Sequence, residues 1–242
     1  MKILNLGCGN KTSNHPDVIN VDWSIYLRIK KNWPLRMIAP LVIRGTRLKK
    51  LDMIPDNIMV YNIARGLPFE SDSIDVIYHS HMLEHIDRDI SKFFLLEVKR
   101  VLKQGGVHRI VVPDLENVCK AYFAHFLKSE TDPEECQKHD LYIAALLEQS
   151  VRKEAYGTSL QKPLRRFLEN AFLGDARKRG ETHQWMYDKI NLKTILVNLG
   201  YKEVHIQEYN TSLVENWNKY GLDIDQNGNQ YKPNSLYVEA VK

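Results

Sequence analysis

The chain is short of cysteine, of long apolar runs and of net charge, and each shortage removes a class of protein. Its three cysteines, Cys8, Cys119 and Cys136, are scattered through 242 residues. That spacing fits neither a metal knuckle nor a disulfide framework, so buried free thiols in a reducing compartment are the expected state. No apolar stretch approaches the roughly 18 residues that a membrane span requires. The N-terminus carries one lysine and a run too short for a secretory signal, so a cytoplasmic location is expected. A net charge of +4 is too mild a bias to make nucleic acid the expected partner. Internal repeats and low-complexity tracts are missing as well. With 43% hydrophobic and 10% aromatic residues, the chain can bury a real core as one large domain or one domain with an insertion.

What is present concentrates in the opening residues. Ile3, Leu4 and Leu6 form an apolar run that breaks at Gly7-Cys8-Gly9, and a second run, Val18 to Val21, stops at Asp22. This reads as strand, glycine turn, strand and a carboxylate at the second strand's end. In an open parallel sheet ligands bind outside the carboxyl ends of the strands. Glycines let backbone come close to a ligand, and Asp22 stands where a carboxylate can accept hydrogen bonds from a ribose diol. Residues 10–17 have turn composition and leave no room for an ordinary crossover helix. A pyrophosphate seat on a helix N-terminus is therefore not expected.

Further along, residues 24–50 carry Arg28, Lys30, Lys31, Arg36, Arg44, Arg47, Lys49 and Lys50 without an acidic residue, interleaved with Trp33, Met37, Ile38 and Leu41. Pro34 and Pro40 should break any long helix. One reading is a crossover helix and a solvated connection; the other is a cationic, apolar segment that touches an anionic membrane surface or a phosphate-bearing substrate. Asn57–Tyr61 reads as a weak strand and Ile74–Tyr78 as a buried one, followed by the loop His79-Ser-His-Met-Leu-Glu-His85. Asp89 is the expected cap of a helix ending near Gln104-Gly105-Gly106. Val107–Val112 is the next strand and ends at Pro113-Asp114. Residues 115–180 read as helical, with segments 115–127, 134–150 and 163–173, too long for a plain crossover. Residues 1–114, 115–180 and 181–242 then divide into a cofactor-binding part, an inserted helical lid, and a closing helix with two strands. Asp188 is the expected cap of that closing helix, over 192–199, and Glu203–Gln207 and Ser235–Val241 are the last strands.

Leu4-Asn-Leu-Gly-Cys-Gly-Asn10, Asn20-Val-Asp22, Leu67-Pro-Phe-Glu-Ser-Asp-Ser-Ile-Asp-Val-Ile77, Met82-Leu-Glu-His85 and Arg100-Val-Leu-Lys-Gln-Gly-Gly106 occur in this order. Together they resemble the class I S-adenosylmethionine-dependent methyltransferases. The tail, with Trp185-Met-Tyr-Asp188 and Asn234-Ser-Leu-Tyr-Val-Glu-Ala-Val-Lys242, is similar to a bacterial subgroup of predicted methyltransferases associated with cell-surface polysaccharide genes. The resemblance implies a Rossmann-like α/β fold, a mostly parallel seven-stranded sheet with a helical insertion after the fifth strand, and S-adenosyl-L-methionine as cofactor. It implies Leu6, Gly7, Cys8 and Gly9 beneath the methionine part, Asp22 on the ribose and Trp23 against the adenine. Asn62 and the Ile63 amide would meet the adenine edge, and the backbone of His79 or Ser80 the methionine amino group. Two residues depart from the pattern. Asn5 replaces an acidic residue that helps hold the cofactor's ammonium, and Lys11 replaces the third glycine.

Methyl transfer from a sulfonium is an in-line displacement in which orientation can supply roughly 7–11 kcal/mol. A base is needed only where the acceptor is a hydroxyl or a protonated amine. The candidates are His81, Asp114 and His183. His85 reads first as a pin for its loop, and Trp185 and Tyr187 as either an acceptor wall or core. His81 and His85 have a spacing that a metal pair could use, yet Glu84 does not match the helical zinc-protease signature, and no metal is expected. The acceptor expected is a small molecule, sugar or glycolipid precursor. A cofactor-binding scaffold without turnover and a nucleic-acid methyltransferase are the alternatives. The second lacks an acidic/Asn-Pro-Pro-aromatic motif after the fourth strand, and a nicotinamide dehydrogenase would lack its third glycine. Oligomeric state is left open.

Overall fold

The computed structural model describes residues 1–43, 46–149 and 182–242. Strands β1 (Ile3–Leu6), β2 (Val18–Asp22), β3 (Ile58–Val60), β4 (Ile74–Ser80), β5 (Leu102–Pro113), β6 (Glu203–Gln207) and β7 (Ser235–Val241) form one sheet in the order β3-β2-β1-β4-β5-β7-β6. The first five are parallel and β7 is antiparallel to both neighbours. This is the expected Rossmann-like, mostly parallel seven-stranded architecture. The strand order reverses at β1, whose neighbours are β2 and β4, and that is where a ligand crevice opens in such sheets.

Strand side chains alternate between faces, and each face has its own cover. Leu4, Leu6, Ile77, Ile110, Val112 and Val238 pack against α4 (Arg88–Val101) and α7 (Lys189–Asn198), with Phe94, Val98, Leu192 and Leu196 completing that core. The opposite face, with Ile3, Val18, Val76, Tyr78 and Val111, is not covered by a helix after β1, because residues 10–17 form a loop as expected. Val214, Trp217, Tyr220 and Leu222 from the loop before β7 lie there instead. The C-terminal loop thus takes the place of the missing crossover helix.

The described residues between β2 and β3 form three short helices, α1 (Ile25–Lys31), α2 (Trp33–Val42) and α3 (Thr46–Met53). Asn32 ends α1 and caps α2, accepting from Leu35 N. Pro34 falls in the first turn of α2, where a missing N–H costs little, whereas Pro40 sits inside that helix. Two sequence expectations need correction around α4. Its N-cap is Asp87, which accepts from Asp89 N, and it ends at Val101 rather than near Gly105. The chain turns extended at Leu102, pairs with Ile74, then bulges before Val107 pairs with Val76. Gly106 permits this, since a Cβ there would lie 2.9 Å from Asp75 O, Leu102 Cγ and Lys103 O.

After β5, α5 (Leu115–Ser129) and α6 (Pro133–Gln149) pack through a ladder of rings, His125 lying 3.8 Å from Tyr142 and 5.4 Å from His139. The expected helix over 163–173 lies outside the described residues. Asp188 caps α7 in a reciprocal capping box with Asn191, so that helix starts at Lys189 rather than Leu192.

Candidate active site

At the carboxyl end of β1 the chain turns through Gly7 and Gly9, both with positive φ. Their tasks differ. A Cβ on Gly7 would lie 2.5 Å from Met82 Sδ, so its bareness makes room for a side chain of the β4 loop, whereas Gly9 faces open space. Asp22, at the end of β2, fixes this turn. Its Oδ2 accepts from Gly9 N at 2.8 Å and its Oδ1 from Ser24 N at 2.6 Å. Each carboxylate oxygen keeps acceptor capacity for a diol. Asn5 is buried and works on the loop, donating through Nδ2 to Lys11 O (2.9 Å) and Asn20 Oδ1 (3.0 Å). Its amide thus orders residues 10–17, a role an acidic side chain could not fill with the same donors.

A cleft of about 180 Å³ lies over this turn, lined by Asn5, Gly9, Lys11, Ser80, His81 and Lys232 among others. Lys11 spans it, with Nζ 2.5 Å from Ile224 O and 4.3 Å from the Tyr231 ring centroid. Burial lowers the Lys11 pKa, although the nearby Asp223 and Asp225 oppose the shift. Ser80 Oγ is buried there without a hydrogen-bond partner. The neighbouring Tyr78 hydroxyl donates a hydrogen bond to Asp223 Oδ1 at 2.8 Å. Sequence reasoning missed Lys11, Tyr231 and Lys232 as cleft residues. The available signal was topological: β7 runs antiparallel to β5 and starts beside its end, with Ser235 opposite Pro113, so whatever precedes Ser235 must reach the ligand edge. A larger depression of about 410 Å³ around Gly105 and Leu213 lies toward the amino ends of β4 and β5, away from where such sheets bind ligands.

The other cofactor positions are placed less uniformly. Trp23 is 40% exposed and carries the Arg28 guanidinium 4.5 Å from its ring centroid. Asn62 caps the 3₁₀ turn Ile63–Arg65, its Oδ1 accepting from Ala64 N; that oxygen serves the turn, and Nδ2 is left as the side chain's donor. His79 is fully buried on the α4 face, Nε2 to Nε2 3.0 Å from His108. Burial lowers its pKa to about 3, so only its backbone can serve the crevice. Cys8 is buried and its thiol pKa is pushed up, by desolvation first and by Asp22 second.

The candidate catalytic residues fall into two groups. Asp114 is 8% exposed and N-caps α5, accepting from Glu116 N; burial raises its pKa. His81 and His183 belong to a cluster around Glu84 in the β4 loop. His81 holds φ +50°, places Nε2 2.7 Å from Ser235 Oγ and Nδ1 3.5 Å from Glu84 Oε1. His85 places Nδ1 3.2 Å from Thr182 O and Nε2 3.9 Å from Glu84 Oε1, with its ring edge-on to His183 at 4.7 Å. The segment 182–187 is strapped across this loop, because Glu84 O accepts from Gln184 N and Trp185 N. Trp185 packs beneath Arg88, and Tyr187 is buried and bridges to Asp114; these two rings belong to the wall that joins strap to sheet. Desolvation lowers the pKa of His81 to about 3 and of His85 to about 4, and raises that of Glu84 to about 8. Burial thus works against charge on the carboxyl and on the imidazoles alike.

Residues 44–110 match the family model described as "Methyltransferase domain". That segment is under half of the chain; it spans β3, β4 and its loop, α4 and most of β5, and leaves out the glycine turn. Among curated proteins no sequence matches. Similar solved structures include an S-adenosylmethionine-dependent methyltransferase from Archaeoglobus fulgidus, 15% identical with 100% of this chain and 86% of that one covered at TM-score 0.42. Another is from Mesorhizobium loti, 13% identical with 100% and 90% covered at TM-score 0.42. A third is DhpI in complex with SAH, 14% identical with 99% and 75% covered at TM-score 0.44. The fold itself rests on this chain's own strand order. Fold, crevice and family match define an enzyme, a methyltransferase whose cofactor is S-adenosylmethionine. The residues present fit that group: Gly9 leaves space, Ser80 Oγ lacks a partner, and Lys11 and Lys232 bring cations toward the place of a carboxylate.

Proposed function

We propose that this methyltransferase acts on a small-molecule, sugar or glycolipid-precursor acceptor by in-line displacement, with the cofactor held across the ends of β1, β2 and β4. The observation that carries the site is the convergence of Gly9, Asp22 and Ser80 with Lys11 and Lys232 around one cleft. In this reading Lys11 and Lys232 pair with the amino-acid carboxylate, with Ser80 and the backbone of Leu6, Gly7, Cys8 and His79 beside the amino-acid end. Asp22 takes the ribose hydroxyls, and Trp23, Asn62 Nδ2 and the Ile63 amide surround the adenine. Asn5 acts through the loop it orders. S-adenosylmethionine supplies an already activated methyl group, so the protein's work is to orient the acceptor and exclude water. His81, 22% exposed at the cleft and steadied by Ser235, is the group placed to meet an acceptor proton, and because desolvation makes it a weak base it does so first by accepting a hydrogen bond. His183 and the Asp114 end of β5 form the acceptor side, with α5 and α6 belonging to an inserted helical lid over it.

A glycolipid precursor is favoured by α2. Leu35 and Ala39 face inward, while Trp33, Met37, Ile38 and Leu41 are exposed, Trp33 and Leu41 by 73% and 74%. Arg36 and Lys49 are exposed nearby. Burying a large apolar side chain is worth about 1.5–3 kcal/mol, and a cation at an anionic surface about 1 kcal/mol. Flotation should show binding to anionic vesicles that Trp33→Ser with Leu41→Ser weakens at least tenfold; equal recovery of both proteins would remove the membrane from the reading.

The deciding experiment incubates the enzyme with radiolabelled S-adenosylmethionine and cell extract separated into lipid, nucleotide-sugar, protein and RNA pools. Label is expected in the lipid or nucleotide-sugar pool, and label confined to RNA or protein would overturn the acceptor class. Tight cofactor binding without any S-adenosylhomocysteine would mean a binding protein without turnover. Asp22→Ala should weaken cofactor binding at least tenfold by calorimetry, and unchanged affinity would displace Asp22 from the site.

A further inference from the structure

Glu84 is 1% exposed, and both of its carboxylate oxygens are buried without a hydrogen-bond partner. Ionised in that state, a carboxyl costs several kcal/mol unless something compensates it, and natural proteins rarely leave a buried polar group without a partner. What surrounds it is a set of imidazoles. One donor atom each from Glu84, His85 and His183 lie within 4.8 Å of one another. His81 adds a nitrogen 3.5 Å from Glu84 Oε1.

The tautomers are set from outside the cluster. The His85 Nδ1 lies 3.2 Å from Thr182 O; a carbonyl can only accept, so Nδ1 carries the proton. The Nε2 lone pair is then left on the side of Glu84. A ring nitrogen donating to a backbone carbonyl while its other nitrogen is held ready is the arrangement that orients metal-bound histidines. The strap places His183: Gln184 N and Trp185 N both donate to Glu84 O, which ties the residue after His183 to the residue that bears the carboxylate.

We propose that Glu84, His85 and His183 form a binding site for one divalent transition-metal ion of the zinc type. Two imidazoles and a carboxylate are a ligand set that such ions accept at about 2.0–2.2 Å, so the three side chains draw in from their present separation. Three protein ligands leave a position open, as in catalytic rather than closed structural sites. The open position takes water or an oxygen of the acceptor, because the cluster adjoins His81 at the rim of the cleft. The ion also fixes the strap of 182–187 to the β4 loop, independently of any acceptor.

The test needs no activity. Protein expressed with added zinc, purified without chelator and dialysed, should contain about one equivalent of metal by elemental analysis. Cobalt should replace the zinc and give visible d–d absorption. Glu84→Gln and His85→Ala should lower the content at least tenfold, whereas His205→Ala, which alters an exposed His–Glu pair 3.0 Å apart, should leave it unchanged. Thermal melts of the chelated proteins keep the result readable, and the isosteric Glu84→Gln serves if His85→Ala does not fold. Less than about a tenth of an equivalent in the wild type, or equal content in wild type and Glu84→Gln, overturns the proposal.

Discussion

One buried cluster of ionisable groups lies on a face of the sheet and another in the loop after β4, and they are built in opposite ways. On that face the fully buried Arg109 donates to Asp223 Oδ2 and Glu239 Oε1 at 2.7 Å and to the carbonyls of Thr211 and Glu208 at 2.9 Å. Its carboxylates are served in turn: Trp217 Nε1 and the Tyr78 hydroxyl donate to Asp223, and Ser212 Oγ and Leu213 N donate to Glu239. At the other cluster Glu84 lies among three histidines, and its carboxylate oxygens accept from none of them. A buried charge whose partners are complete holds chain segments together, here the C-terminal loop against β5 and β7. A buried carboxyl without partners holds nothing in place and is explained by what it receives.

The contrast can be broken in order of effect. Arg109→Ala strips both carboxylates of their cation, and removing one member of a buried charge network costs about 3–5 kcal/mol. Chemical denaturation should show a loss of that size; a loss under about 1 kcal/mol would mean the network is not a clamp. Glu84→Gln, with metal removed by chelator, replaces a buried acid that has no hydrogen-bond partner with an amide of the same shape. It should change stability by less than about 1 kcal/mol, and a loss like that of Arg109→Ala would erase the distinction. The smallest effect belongs to an ion pair at the surface. Arg100 Nε donates to Glu97 Oε1 at 2.8 Å, and that hydrogen bond holds the Glu97 pKa below its ordinary value. A depressed carboxylate contributes stability above its unfolded pKa and loses it as pH falls. Melting curves of Glu97→Gln should therefore lie slightly below wild type at pH 7 and converge with it in acid; divergence in acid would reverse the sign.

Much of the fold was legible because its signals are local. Ile3 to Leu6, Val18 to Val21 and Ile74 to Tyr78 are apolar runs ended by a glycine, an acid and a polar loop, and each became a parallel strand whose end faces the crevice. The closing strands followed from the same pattern. What stayed hidden depends on distant partners. Nothing near Arg109 in sequence announces Asp223 or Glu239, and Lys11 reads as a lost glycine until Ile224 and Tyr231 are found beside it. The end of α4 was misplaced because Gly105-Gly106 is a strong stop signal, while pairing of Leu102 with Ile74 pulls the chain extended sooner. His81 and Glu84 were visible as residue types, but their meaning required burial, which no spacing encodes.

The substitution of a loop for a crossover helix has a consequence in time. Ile3, Val18 and Tyr78 wait for Trp217, Tyr220 and Leu222 to cover them, and β6 pairs with the sheet when β7 inserts beside β5. Contacts of such long sequence separation form late and slow the folding of a chain. During synthesis, β1 and β2 therefore emerge long before the residues that shield their second face. The latch from Lys11 to Ile224 and the Lys232 wall of the cleft depend on that same late loop, so a nascent chain acquires a complete cofactor cleft only when residues beyond 232 have left the ribosome.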